Sequence, residues 1–491
     1  MIKILSFAWP AICAVVVCGC APSSHHPRRT PGTAPAPDAF WTPPAEEIRE
    51  PAPAAAPEIP PDLAGRVQSM TLVDVLDLAL RNSPLTKVAW ADARAAAASY
   101  ETKKGEYWPQ INLDANYTKY KTAATQGRQA VQQTVYGGSA ALSYLLLDFG
   151  GRSASIENAR RALVAADWTH NAVIQNVVLQ VELAYHRYMA TKALLEAQRA
   201  SLTEAATNLE SATVRHDAGV ATIAEVLQAK TALSQAQLDL DSLQGALQTT
   251  KGALAVSMGL PANIPFDIEE RPRDVPFDTT MQGIDDFIQG ALARRPDLMA
   301  ARAQVEAALA RAKEVKSDGL PSLSFSASGG RNYFQGRSGH GDNYSAGFFV
   351  RFPLFTGFAQ TYKEREADAQ ADAAAARAKS LENQVVFQVF SAYYLLQTAT
   401  QRARTAGDLM TSASQSEQVA LERYRAGVGS ILDLLAAQAA LADARAQQIQ
   451  ARWDWYSSLA QLAHDTGVLG LQGESPIIPA APPASSQKES Q

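Results

Sequence analysis

The 491-residue chain has almost no cysteine: Cys13, Cys18 and Cys20 are the only three, all within the first twenty residues. Everything downstream is therefore without a disulfide framework or a thiolate metal site. Past that leader no run of about eighteen apolar residues occurs, so no transmembrane helix is expected. Charge is scarce and balanced, with 44 basic and 49 acidic residues for a net −5. No cationic domain stands out, which argues against a nucleic-acid partner. His170, His186, His216, His340 and His464 lack metal-ligand spacing, and His25-His26 sits in a polar, proline-rich tail. Asp148-Phe149-Gly150 spells a kinase metal motif, but there is no glycine-rich loop with a following strand lysine and no catalytic-loop triplet. Gly336, Gly339 and Gly341 neither follow a Rossmann-like strand nor open a helix. The reading is of a non-enzyme with no catalytic residues, no cofactor and no metal.

What is present begins with the leader. Residues 1–19 have one lysine (Lys3), an apolar run from Ile4 to Val17 and then small residues, the pattern of a signal peptide. Val17-Cys18-Gly19-Cys20 resembles a bacterial lipobox, which implies acylation of Cys20; a plain signal peptide cut near this point is the alternative. Ala21, rather than Asp, follows the cysteine, which in lipoproteins of Gram-negative bacteria implies outer-membrane sorting. Residues 20–67 are rich in Pro and Ala and read as an extended, semi-rigid tether; 471–491 reads as a disordered tail.

Length alone suggests about three ordinary domains, but self-comparison gives a different division. Ala79-Leu80-Arg81-Asn82-Ser83-Pro84 recurs as Ala291-Leu292-Ala293-Arg294-Arg295-Pro296, offset by 212. From Ala184-Tyr185 and Ala392-Tyr393 onward, through Ala218-Gly219-Val220 and Ala426-Gly427-Val428 to Gly259 and Gly467, the offset is 208. The second copy is four residues shorter, and the deletion falls between Pro321 and the next helix. The chain is an internal duplication, 68–260 and 283–470, joined by a linker at 261–282.

Each copy opens with alanine-rich helical sequence, 71–107 and 283–318, interrupted at Pro84 and Pro296. The period then changes to two: Ile111, Leu113, Ala115 and Tyr117 alternate with polar residues, as do Leu323, Phe325 and Ala327. Second strands are expected at 135–147 and 344–354. Proline-free helices of some 65 residues follow, 153–217 and 358–425, each roughly 100 Å long. A glycine in each Ala-Gly-Val ends them, and returning helices span 222–257 and 430–466.

Four strands of membrane-spanning length cannot close a barrel, since the smallest need about eight. An ordinary soluble sheet would leave two edges uncovered. Three chains would supply twelve strands. The doubled Ala-Leu-x-x-x-Pro start, the strand exits Leu147-Asp148-Phe149-Gly150-Gly151-Arg152 and Phe352-Pro353-Leu354-Phe355-Thr356-Gly357, and the doubled tips together resemble the TolC-like outer-membrane efflux proteins, in their lipoprotein branch. The resemblance implies a mostly α homotrimer: a 12-stranded β-barrel in outer-membrane lipid, continued by a coiled-coil α-helical tunnel into the periplasm. It implies docking on a periplasmic adaptor (membrane fusion) protein and an inner-membrane pump of RND or ABC type. Export of drugs, metals or other small molecules is the leading expectation; the outer-membrane duct of a type I protein secretion system is the alternative. A periplasmic coiled-coil scaffold or adaptor is the competing class, although adaptors usually carry one hairpin with lipoyl-like β segments rather than two.

By the same resemblance, the tips Ala218, Gly219, Val220, Ala426, Gly427 and Val428 are adaptor contacts, and Glu225, Tyr424, Arg425 and Asp433 line or hold the periplasmic aperture. Tyr424 would hydrogen-bond the acid of the neighbouring hairpin, Glu225. Three copies of Asp433 would form a cation-favouring ring. Two positions depart from the family pattern. A basic latch two after the tip glycine is replaced by Gly429, and a second acidic ring would fall on Ala436. Arg425 or Arg423 would then hold the closed state.

Overall fold

The computed structural model describes residues 67, 69–123, 131–269, 283–335 and 339–469. The leader with Cys20, nearly all of the tether, most of the linker and the C-terminal tail lie outside the described residues.

The two copies have the same order of elements. The first runs α1 (Leu72–Asn82), α2 (Pro84–Lys104), β1 (Gln110–Thr122), β2 (Val131–Leu147), α3 (Gly151–Asp217) and α4 (Ile223–Ser257). The second runs α5 (Ile284–Arg294), α6 (Pro296–Ser317), β3 (Ser322–Phe334), β4 (His340–Arg351), α7 (Ala359–Arg425) and α8 (Ile431–Asp465). α3 and α7 have 67 residues each, and α4 and α8 have 35 each. The opening strands keep the 212 offset and the long helices the 208 offset, so the four-residue difference lies between the start of β3 and the start of α7.

Local chemistry sets the breaks. Ser83 and Arg295 each precede a proline that sits at a helix N-terminus. Clash with the proline ring excludes the α conformation there, and both residues hold ψ near 120°. β4 ends at Arg351, three residues earlier than expected, because Pro353 has no N–H for the ladder and restrains Phe352. β2 starts four residues earlier than expected, at Val131.

The sheet is a fully antiparallel meander, β1-β2-β3-β4. Its central pair, β2 with β3, joins the two copies, with Tyr136 opposite Tyr333 and Leu142 opposite Ala327. Beneath it, α3 lies between α2 and α6 and then against α8. Around mid-height the short helix α1 and the segment after α4 close a core of Met70, Val75, Leu78, Val181, Met189, Leu254 and Phe266. A matching core in the second copy gathers Phe287, Val385, Val389 and Leu462.

Candidate functional site

The cross-strand register sorts the sheet into two unlike faces. One row set carries Ile111, Leu142, Ala327 and Ala346, then Leu113, Ala140, Gly329 and Tyr344, then Tyr144, Phe325 and Phe348. Above these the same face carries Ala115, Gly138 and the Arg331–Asp342 ion pair at 2.6 Å. Tyr117, Tyr136, Tyr333 and His340 end it, with Tyr136 and Tyr333 stacked at 5.4 Å, so the face is apolar in its lower rows and polar and aromatic at its end. The opposite face carries Asn112, Asp114, Asn116, Ser139, Ser143, Ser324, Ser326 and Ser328. Leu113 is 83% exposed and Tyr344 91% exposed, so no part of the described chain covers the apolar face. An apolar, aromatic-ended outside and a small polar inside is the alternation of a membrane barrel strand. Strands of 12 to 17 residues, tilted by about 45°, span a hydrocarbon layer of about 30 Å. β1 and β4 each have one unpaired edge among the described strands.

At the far end, both hairpins turn the same way. Gly219 and Gly427 adopt φ of +76° and +75°, where an L side chain is strained. The N–H groups of Val220 and Val428 donate to Arg215 O and Arg423 O, closing each helix with a Schellman-type turn. This leaves Val220 and Val428 exposed at the extreme tips. Gly429 fits its place for a steric reason: a Cβ there would press on the backbone of Arg423 and Tyr424. A side chain there would require the backbone at Arg423 and Tyr424 to give by a few tenths of an ångström.

The next helices begin differently. Thr222 and Glu225 form a reciprocal capping box, with Thr222 N–H donating to Glu225 Oε1 at 3.3 Å. The equivalent pair is Ser430 and Asp433. Ser430 Oγ accepts from Leu432 N–H at 3.1 Å, and Asp433, one methylene shorter than Glu225, stays exposed.

Between the tips, Tyr424 is buried with Ala212, Ala229, Ile431 and Leu434, joining residues of all four long helices. The Arg215 guanidinium lies 4.6 Å from the Tyr424 ring centroid, and its Nη1 donates to Tyr424 O at 3.2 Å. The expected bond from Tyr424 to Glu225 is not made within the chain. Glu225 serves the cap, and the Tyr424 hydroxyl is buried with no hydrogen-bond partner among the described residues. Burial raises the hydroxyl's pKa; Arg215 opposes this, and the Glu225 charge adds to it. Arg425 is exposed and pairs with Glu422 at 3.1 Å, an i,i+3 contact worth little in water. Arg423 is exposed as well. Arg215 is the residue that sequence reasoning missed, although the 208 offset relating it to Arg423 was a usable signal.

The strand exits are turns. Phe149 and Gly150 are both left-handed, as are their equivalents Gly357 and Phe358, so Asp148-Phe149-Gly150 is a corner into α3. Asp148 accepts the Arg152 N–H at 2.5 Å, capping that helix. Among the described residues, no three His, Cys, Asp or Glu side chains gather to hold a metal ion.

The family model for outer membrane efflux proteins matches residues 75–260 and again 287–468, once for each copy. The chain belongs to the outer membrane efflux protein family. Protein CyaE of Bordetella pertussis is 28% identical over 415 residues, spanning 84% of this chain and 86% of that protein. Outer membrane protein TolC of Vibrio cholerae is 24% identical over 426 residues, 84% and 93% of the two chains. The solved outer-membrane channel OprN superposes with a TM-score of 0.72 at 21% identity, covering 81% of this chain and 89% of its own. As an outer membrane efflux protein the chain is one third of a homotrimer. Its four strands belong to a twelve-stranded outer-membrane barrel, and its long helices belong to a tunnel that reaches across the periplasm towards adaptor and pump. The family is one of ducts rather than enzymes.

Proposed function

We propose that this protein is a passive exit duct for small molecules, without catalysis of its own, and that its periplasmic end is closed by the tips of its two hairpins. The polar face of the sheet carries the reading. Turned inward it presents short, mostly uncharged serine and asparagine side chains to the lumen, a lining that holds water and binds no solute tightly. Selection then rests with the pump that loads the tunnel.

At the closed end, Asp433 projects from the first turn of α8 with no capping duty, so three copies form a ring of carboxylates at the constriction. Tyr424 with Arg215 locks the two hairpins of one protomer together. Arg423 occupies in α7 the place Arg215 holds in α3 and reaches toward the next protomer. Val220 and Val428, with Ala218, Gly219, Ala426 and Gly427, form the rim that an adaptor grips. Cys20 is the acylation site, and the proline-rich stretch after it tethers the duct to the inner leaflet. Planar-bilayer recording of wild type against Asp433→Ala tests the gate. Loss of cation preference at the constriction is expected; an unchanged preference and pH response remove the ring. Detergent extraction from outer membranes should yield heat-modifiable trimers, and a water-soluble monomer would overturn the duct.

A further inference from the structure

We infer that an aromatic ridge on α7, made by Phe387, Phe390 and Tyr394, seats on the glycine-notched face of α4 in the next copy of this chain. The inference rests on the trimer described above and specifies how its subunits interlock. The duplication supplies the template. Inside one chain, α3 of the first copy packs against α6 and α8 of the second, just as β2 pairs with β3. Repeating that step carries α7 onto α2 and α4 of the following protomer, and β4 onto its β1. The interface is head-to-tail and closes after three protomers.

The template also gives the register. Within the chain, His186 of α3 lies 5.8 Å, ring to ring, from both Trp453 and Tyr456 of α8. Leu179 packs with Ala460 and Ala463. Moved by the 208-residue offset, His186 becomes Tyr394 and Leu179 becomes Phe387 on α7. Trp453 becomes Gly245 and Ala460 becomes Gly252 on α4; a Cβ at Gly252 would already touch Ala262 of its own chain at 3.5 Å, so the open notch is at Gly245. Bulk has changed sides: the large ring sits on the receiving helix within a chain and on α7 between chains.

Two observations from the free surfaces agree with this exchange. Phe387 is 68% exposed, while Phe390 and Tyr394 meet at 4.8 Å with tilted rings, and Tyr394 also touches the edge of Tyr393. Phe390 and Tyr394 remain nearly half exposed, an aromatic ridge whose outer side is left open among the described residues. A Cβ at Gly245 would meet nothing within 4 Å. Its own chain therefore gives no packing reason for a glycine in the middle of a 35-residue helix, where glycine is unfavourable. A flat place for an incoming ring does.

The test uses the full chain in outer membranes. Gly245→Cys combined with Tyr394→Cys should form, on mild oxidation, disulfide-linked dimers and trimers that vanish on reduction. Either substitution alone, or Gly245→Cys with the distant Val419→Cys, should give none above the background of the native leader cysteines. If an amine-reactive crosslinker still traps trimers while the cysteine pair fails, the interlock is wrong and the trimer stands. If neither method traps a trimer, the duct reading falls with it. Size exchange gives a second measure. Gly245→Trp should lower the detergent-resistant trimer fraction at least tenfold, and adding Tyr394→Gly should restore most of it. A trimer indifferent to Gly245→Trp, or one not restored by the second change, would overturn the proposal.

Discussion

The two copies spend the same positions on different interactions, and the difference is clearest at two heights. At the tip, Glu225 is absorbed into a cap while its counterpart Asp433 remains free. At mid-height, Ser83 makes local backbone bonds, its N–H donating to Ala79 O at 2.8 Å and its carbonyl accepting from Thr86 Oγ1 at 2.9 Å, whereas its counterpart Arg295 is almost fully buried in a polar network. Arg295 grips Asp297 through Nη2 at 2.6 Å, donates to Gln388 Oε1 at 2.6 Å and reaches Asp465 O at 3.4 Å. Burial pushes the Asp297 carboxyl up, but the Arg295 contacts outweigh it and hold the group below its usual range. One fold thus tolerates a small polar and a charged solution at equivalent places, provided that each buried group is satisfied. The backbone is shared, and side-chain duties are free to diverge.

The largest expected effect separates the copies at mid-height. Arg295→Ala removes the buried contacts to Asp297, Gln388 and Asp465 together and should destabilise the chain by about 4 kcal/mol, read as a loss of thermal stability. Ser83→Ala should cost under about 1 kcal/mol. Equal losses would erase the distinction.

A second contrast concerns protons. His186, enclosed by aromatic rings, has its pKa lowered by burial to about 4, while Glu182, one turn earlier, has its pKa raised by burial to about 7. Their counterparts in the second copy are Tyr394 and Phe390. For His186 the unfolded chain binds the proton first, so stability falls as pH drops from about 6.5 to about 4, by up to about 3 kcal/mol. Glu182 works in the opposite direction: the folded chain holds its proton up to about pH 7, so stability rises on acidification from there to about 4.5. Wild type should therefore be nearly flat between pH 4.5 and 6.5 in melting experiments. Glu182→Gln should expose a loss of stability toward acid, and His186→Leu a gain.

Smaller effects belong to the tips. Thr222→Ala removes the capping box and should cost about 1 kcal/mol, detected as faster amide exchange at the start of α4. Asp433→Ala should change stability by less than about 0.5 kcal/mol while altering conductance, because its carboxylate holds no cap.

The sequence was most informative where physics is local or periodic. The constant offsets placed both hairpins, period-two alternation placed all four strands, and the prolines at 84 and 296 placed the helix breaks. Strand ends were less legible, since the stop at Arg351 depends on how Pro353 leaves the ladder. Contacts between distant segments were not legible at all. Arg215 meets Tyr424 across 209 residues, and Arg295 meets Asp465 across 170. Neither partner carries a pattern that names the other. Gly429 reads in the sequence as a missing latch; only the structure shows how closely the backbone of Arg423 and Tyr424 approaches it.

The paired lengths of the long helices, 67 with 67 and 35 with 35, constrain how this gene can change. One residue added to a single arm would advance the tip by about 1.5 Å and turn its packing stripe by about 100°. The six hairpin tips of a trimer must finish in one plane to present an even rim. Substitutions can accumulate freely along these helices, as the divergence of the copies shows, whereas insertions and deletions are confined to the stretch above them. The four-residue difference between the copies is found there, and future length variation among relatives should be sought in the same place.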